Sequence, residues 1–458
     1  MHDLRRQVLE SGKTISRKAR SRQASGASSK AASAASSRAA SRTASRQASD
    51  DEDDNNLSDS TSFSIASNDD IVPSEDTDAP PDAWRQELGD RMEQVIDRKR
   101  SSVQGREENL AAYSYILTLQ YARDEIHSKL GELVPAILKS VRSESSEKET
   151  VAALKGVNPV LQLLLEASAN WLLALAVTVI TDPSDGLYDA VYQSLKRTIS
   201  DSEFDSAKTA AIHTLGTATF YGGASLEETQ DTMDYLLEII ESDGHSVAAE
   251  DNGDVVTAAL EEWGFLATQF EDMEDATEPA MDAFVEQLSS SDPNVQIAAG
   301  ENTALLYEKS YTELEDDEEA TESDESDPED EAPSDGPKMV KRYTVYRRED
   351  QLKHTLATLA NISGRSISKK DRKSLHTNFA DILHSVENPT RGPRYSAAVN
   401  HETGKRYGSR LTVRINRVGE MRIDKWWKLH RLKALRRVLQ GGFVRHYEHN
   451  EVVFESLP

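Results

Sequence analysis

Lys369, Lys370, Arg372 and Lys373 crowd one short stretch, and Lys425, Lys428, Arg431, Lys433, Arg436 and Arg437 crowd another. Between them lie Arg391, Arg394, Lys405, Arg406 and Arg410. Guanidinium forks and ammonium groups at this density do electrostatic work: they neutralise phosphate oxygens and release the counterions condensed on a nucleic acid. Residues 338–458 hold 26 Lys and Arg against 11 Asp and Glu, a net of +15 in a chain whose total is −27. A basic module joined to an acidic remainder points to nucleic acid, or a machine built of it, as partner.

Covalent chemistry has no comparable signal. The glycine pairs at 222–223 and 441–442 lack the Gly-Lys-Ser/Thr of a phosphate loop, and no serine sits in a nucleophile elbow. Zero cysteines exclude disulfides and cysteine-ligated metals. His446 and His449 have a metal-like spacing but no second pair to complete a site. The chain therefore reads as non-enzymatic, with no cofactor and no metal. Val160 to Ile180 is apolar, yet Gln162, Glu166 and Asn170 recur in it every four residues, which predicts a helix buried in protein rather than in lipid. Without a signal-peptide core or cysteines, cytoplasm is the expected compartment, with the nucleus as a second one.

The basic residues need elements to hold them. Tyr346 to Asn361 and Ser368 to Val386 read as helices, the second with Leu375, Phe379, Ile382 and Leu383 inward. Four cations at the start of that second helix oppose its dipole, so an anionic ligand explains them better than helix stability does. Pro389 to Arg410 is rich in turn residues, and Leu411 to Ile423 alternates as a hairpin with Arg410, Arg414 and Arg417 outward. Asp424 is the expected cap of a helix from Lys425 to Leu439 that Gly441-Gly442 stops. Its Leu429, Leu432, Leu435 and Leu439 form a stripe with cations around it, so it either docks by its leucines or lies wholly in a charged channel. Trp426 and Trp427 read as packing anchors before stacking platforms.

From 81 to 310 the periodicity predicts helix after helix with short polar joints, including segments at Leu226 to Glu241 and Pro279 to Leu288 and one opened by Asp292-Pro293. The fold class expected is mainly α: an armadillo- or HEAT-like solenoid followed by a small basic, mostly helical C-terminal domain with a short β-hairpin. An ordinary helical bundle is the alternative. Residues 1–80 form a disordered tail, Ser/Ala/Arg-rich and then acidic, in which Ser25, Ser45 and Ser49 each follow an arginine by three residues, a spacing that suits phosphorylation. Residues 311–337 form an acidic linker between the helical domain, 81–310, and the basic domain, 338–458.

Several phrases resemble the interferon-related developmental regulator family. Asn294 to Glu308 resembles the end of its armadillo-like region; Ser368-Lys-Lys-Asp-Arg-Lys and Phe379 to Glu387 resemble the start of its C-terminal domain. Arg422 to His430, Leu439 to Tyr447 and Asn450 to Phe454 resemble that domain's close. The resemblance runs from about Pro81 to Pro458 and leaves out residues 1–80. It implies a non-catalytic factor that occupies translationally inactive 80S ribosomes across the tRNA sites, with Lys425 to Leu439 near the mRNA channel and its cations on rRNA. It also implies the alternative, a transcriptional co-regulator or scaffold that holds protein partners on the helical repeats. Neither reading includes a sequence-specific DNA reader or a membrane.

Overall fold

The computed structural model describes residues 82–97, 103–152, 159–184, 186–314, 339–362, 368–399, 401, 406–415 and 419–458. The tail of residues 1–80 with Ser25, Ser45 and Ser49, the acidic segment beyond residue 314, and Lys405 and Arg417 lie outside them.

The first ten helices are α1 (Ala83–Ile96), α2 (Val103–Leu119), α3 (Leu130–Ala152), α4 (Pro159–Thr181), α5 (Leu187–Asp201), α6 (Asp205–Tyr221), α7 (Leu226–Glu241), α8 (Gly253–Ala267), α9 (Glu274–Gln287) and α10 (Pro293–Lys309), with a single helical turn at Arg123–Ile126. Local chemistry sets their ends. A capping box of Ser225 and Glu228 starts α7, and Asp292 accepts from Asn294 N at 2.7 Å to start α10 with Pro293 in its first turn. Helix α7 buries Met233, Leu236, Ile239 and Ile240 on one face only, whereas α6, α8 and α10 are buried on nearly every side. That difference sorts outer helices from inner ones.

Helices α2, α4, α6, α8 and α10 pack each on the next and make an inner row, which the odd-numbered helices flank. The fold is mainly α and solenoid-like. The row does not stop at the acidic segment: α11 (Glu349–Ala360) pairs with α12 (Lys369–Glu387), and α12 packs on α10 as the next inner helix. Two short strands, β1 (Tyr311–Glu313) and β2 (Met339–Lys341), run antiparallel with Tyr311 opposite Lys341 and hold the two ends of the acidic segment together. One core of buried apolar side chains extends from Leu88 to Leu457, across the expected domain boundary.

The rest of the chain lies over this stack. Strands β3 (Tyr395–Val399) and β4 (Arg406–Ser409) form a hairpin where only turns were expected; β5 (Thr412–Arg414) and β6 (Glu420–Arg422) form the expected one. Helix α13 (Trp426–Leu439) then crosses the inner row, touching α10, α8, α4 and α2. Gly441-Gly442 does not end the helical region. Gln440 turns at φ 45°, a 3-10 turn covers Gln440–Gly442, and the chain re-enters helix as α14 (Phe443–His449) and α15 (Glu451–Glu455). Helix α9 starts at Glu274 and carries Pro279 inside it, five residues before the predicted start. The apolar stretch 160–180 is α4, an inner helix in which Trp171, Leu172, Leu175, Val177 and Ile180 are buried by protein. No helix among the described residues is long and apolar enough to cross a membrane.

Close approach of α12 and α13 depends on glycines of the row. A Cβ at Gly264 of α8 would lie 2.1 Å from Asn302 Oδ1 and 2.6 Å from the His430 ring, and one at Gly300 of α10 would lie 2.7 Å from Ile382. Gly89 on α1 faces open space. Gly264→Ala should therefore destabilise the chain by about 1–3 kcal/mol through overpacking. Gly89→Ala should be neutral or stabilise it by up to about 1 kcal/mol; paired thermal melts of the two variants check the contrast.

Candidate nucleic-acid interface

The inner row carries carboxylates on faces that its own helices would leave dry. Glu261 and Glu262 stand on α8, Glu301 and Glu308 on α10, and Glu262, Glu301 and Glu308 are buried. Helix α13 answers each of them. Arg437 donates to Glu261 Oε2 at 2.7 Å and to Glu262 Oε1, and Lys433 Nζ reaches Glu301 Oε2 at 2.5 Å. Glu308 accepts from the backbone N–H of Trp426 at 2.8 Å and of Trp427 at 3.2 Å. A carboxylate from α10 thus caps α13, whose N-cap residue is Lys425 with no side-chain cap of its own. Asp424, the expected cap, instead pairs with Lys428 at 3.2 Å.

Burial governs the protonation of this layer. It pushes the Glu262 carboxyl up to about 7 although Arg437 pulls the other way, and Glu308 up to about 7 against the two N–H bonds it accepts. His213, whose Nδ1 lies 2.9 Å from Glu262 Oε1, is held well below the ordinary histidine value by burial and then by Arg437. His430, expected at the surface, is buried between α8 and α10 and pushed down to about 3 by burial and by Lys433.

The candidate RNA contacts separate into two groups on this geometry. Arg431 donates to Thr268 Oγ1 and Thr268 O, both at 2.9 Å, and stacks over Trp427 at 4.9 Å and Phe220 at 5.2 Å. Arg436 lies half-buried with its guanidinium 5.7 Å from the Phe443 ring centre. With Lys433 and Arg437 on carboxylates and Lys428 on Asp424, most of the basic side chains of α13 face protein; Lys425 is half-exposed at its start. Trp426 is a buried anchor whose Nε1 donates to Ser385 Oγ at 2.8 Å. Arg394 pairs with Asp381 at 2.9 Å, and Arg391 lies over the Tyr395 ring at 5.1 Å.

The second group faces solvent. Ser368 caps α12 by accepting from Asp371 N at 3.1 Å, and Lys369, Lys370 and Lys373 are exposed in its first turns with Arg372 half-exposed beside them. Neither Lys369 nor Lys370 makes an ion pair among the described residues. Arg410 is exposed at the junction of the two hairpins. His446 donates or accepts at Leu117 O over 2.8 Å from a buried position while His449 is exposed, and no His, Asp and Glu cluster able to hold a metal occurs among the described residues.

Sequence reasoning found the cations and missed their partners. The available signal was charge inside apolar helix: Gly300-Glu301-Asn302 follows alanines, and Glu261-Glu262 sits between Leu260 and Trp263. Such residues on an inner helix need a counter-charge from elsewhere in the chain.

The family model described as interferon-related developmental regulator matches residues 51–387. The chain belongs to this family. The match begins thirty residues earlier than the resemblance at Pro81 and ends with α12, so the ribbon of hairpins and α13 lie beyond it. An uncharacterized protein of Schizosaccharomyces pombe is 28% identical over 369 residues, covering 80% of this chain and 72% of that protein.

In this family member the layer under α13 makes two predictions. Arg437→Met leaves Glu261 and Glu262 without their cation and should cost about 3–5 kcal/mol, and adding Glu262→Gln should recover part of the loss; a double-mutant cycle by denaturant melts measures it. For pH, the unfolded chain protonates His430 between about 6.5 and 3 while the folded chain does not, so this group's contribution falls as the solution is acidified. Glu262 and Glu308 act oppositely, since the folded state keeps their protons up to about 7 and stability from them falls as pH rises from about 4.5. His430→Asn should therefore flatten the acid loss by up to about 1.4 kcal/mol per pH unit, read from melts of variant and wild type between those limits.

Proposed function

We propose that the protein is a non-catalytic ribosome-binding regulator of translation, and that its contact with rRNA begins on the first turns of α12. The observation that carries this reading is the set Lys369, Lys370, Arg372 and Lys373, placed at a helix start where their charge opposes the dipole. Cations so placed cost stability unless an anion meets them. The family membership supports a regulatory role, and the net charge of residues 338–458 supports a phosphate-bearing partner.

On this reading α13 contributes by holding the inner row and the basic face in one frame, while its own cations stay on Glu261, Glu262 and Glu301. The ribosome-facing charge is then the exposed set on α12, with Arg410 beside the hairpins. Binding at tRNA sites of idle 80S particles, near the mRNA path, is the form of regulation that such an occluding body would exert.

Gradient sedimentation of lysate at low and moderate salt tests the proposal. The wild-type chain should co-migrate with 80S particles at low salt and dissociate steeply as salt rises. Reversing Lys369, Lys370, Arg372 and Lys373 to Glu should abolish co-migration with the fold intact by circular dichroism, since each lost phosphate contact removes about 0.7–0.9 from the log–log salt slope. Absence of wild-type co-migration at low salt, with recovery in a stoichiometric complex of proteins, would replace this reading by the scaffold one.

A further inference from the structure

The two hairpins are one ribbon. Arg410 N donates to Arg394 O at 3.1 Å, Ile423 N donates to Leu411 O at 2.8 Å, and Ser409 Oγ lies 2.6 Å from Ile423 O. The strand from Arg406 to Arg414 is therefore paired with β3 along its first half and with β6 along its second. In the second half the alternation is strict: Leu411, Val413, Met421 and Ile423 are buried, while Arg410, Thr412, Arg414 and Arg422 are exposed. Glu420, opposite Arg414, is the one carboxylate on that outward face among the described residues.

Along the first half, Gly408 interrupts the alternation with a φ of 67°, and Tyr407 just before it is 48% exposed. Val399, also 48% exposed, stands opposite Arg406. Large apolar side chains this exposed are Tyr115, Leu226, Val399, Tyr407 and Phe454 among the described residues, so two of them share this one hairpin. Tyr407 makes no ring contact among the described residues, whereas Tyr395 on the partner strand is stacked on His384 and covered by Arg391.

We infer that the outward face of this ribbon binds single-stranded RNA, with an unpaired base stacking on Tyr407 and phosphates meeting Arg410, Arg414 and Arg422. Charge complementarity selects a polyanion, and an open aromatic face beside arginines selects one whose bases are free to stack. A duplex offers the arginines its phosphates but offers Tyr407 nothing. A protein partner would need a larger apolar surface than one tyrosine and one valine supply. The inference rests on the reading that the chain contacts RNA and adds to it a second contact, outside the residues that the family model matches and apart from α12.

Fluorescence anisotropy of the full chain with a short labelled oligouridine, and with an RNA duplex of equal length, tests it. The single strand should bind more tightly than the duplex. Tyr407→Ala should weaken single-strand binding about 5- to 100-fold and leave duplex binding unchanged, Tyr407→Phe should restore it, and thermal melts should show both variants folded. Arg414→Gln with Arg422→Gln should lower the salt slope by about 0.7 for each phosphate lost. Equal binding by Tyr407→Ala and wild type, or no preference for the single strand, overturns the inference. Those outcomes with 80S co-migration intact would remove the ribbon contact and leave the ribosome reading standing; the Tyr407 effect without any 80S co-migration would do the reverse.

Discussion

Carboxylates buried along the inner row are the constraint around which the rest of the structure is arranged. Glu262, Glu301 and Glu308 sit on helices whose other faces are already packed, and a carboxylate there is tolerated only if cations or N–H groups reach it, or if it keeps its proton. Helix α13 supplies all of these partners from one element: Arg437, Lys433 and two backbone N–H groups at its start. Both ends of the requirement lie far apart in sequence, so the stack and its crossing helix are folded by each other. Glycines at 264 and 300 set how near the partners come, and a side chain at either position would hold α13 or α12 away from the row.

Repeat stacks of this kind present their inner row to ligands. Here that surface is occupied by the chain's own basic helix, which behaves toward the row as a ligand would: anchored by buried Trp426, Leu429, Leu432 and Leu435, and matched in charge. The consequence is a displacement of function to the margins. What stays open to a polyanion is the start of α12 and the outward side of the ribbon, both of which are fixed by the same packing that closes the row.

The helices, their order and the Leu411 to Ile423 hairpin were legible because each is a local pattern: three- and four-residue apolar steps, a Ser or Asp-Pro start, a strict alternation. The capping of α13 was not, because Glu308 lies more than a hundred residues from Trp426 and nothing in Asp424's neighbourhood announces that it will pair with Lys428 instead. The β3–β4 hairpin escaped for a different reason. Its bulge and its glycine in the left-handed region break the period-two signal on which strands are recognised. Gly441-Gly442 misled because a glycine pair marks a change of direction as readily as an end, and here the chain turns and resumes helix against Thr118 of α2.

Charge count identified the right region and could not assign its residues. The same guanidinium that suits a phosphate suits a buried carboxylate, and on α13 the second use wins because Leu429, Leu432 and Leu435 drive the helix onto the row, where the carboxylates are nearer than any solvent-borne anion. On α12 the leucines and Phe379 face α10 as well, yet its cations cluster one turn beyond the contact, at an end that meets no carboxylate partner for Lys369 or Lys370 among the described residues. Two basic helices of similar composition are therefore put to opposite uses by where their apolar stripes stop. In α13 the stripe spans the helix and draws the charge inward with it; in α12 it begins only at Leu375, leaving the first turns outside the core and their charge for a partner.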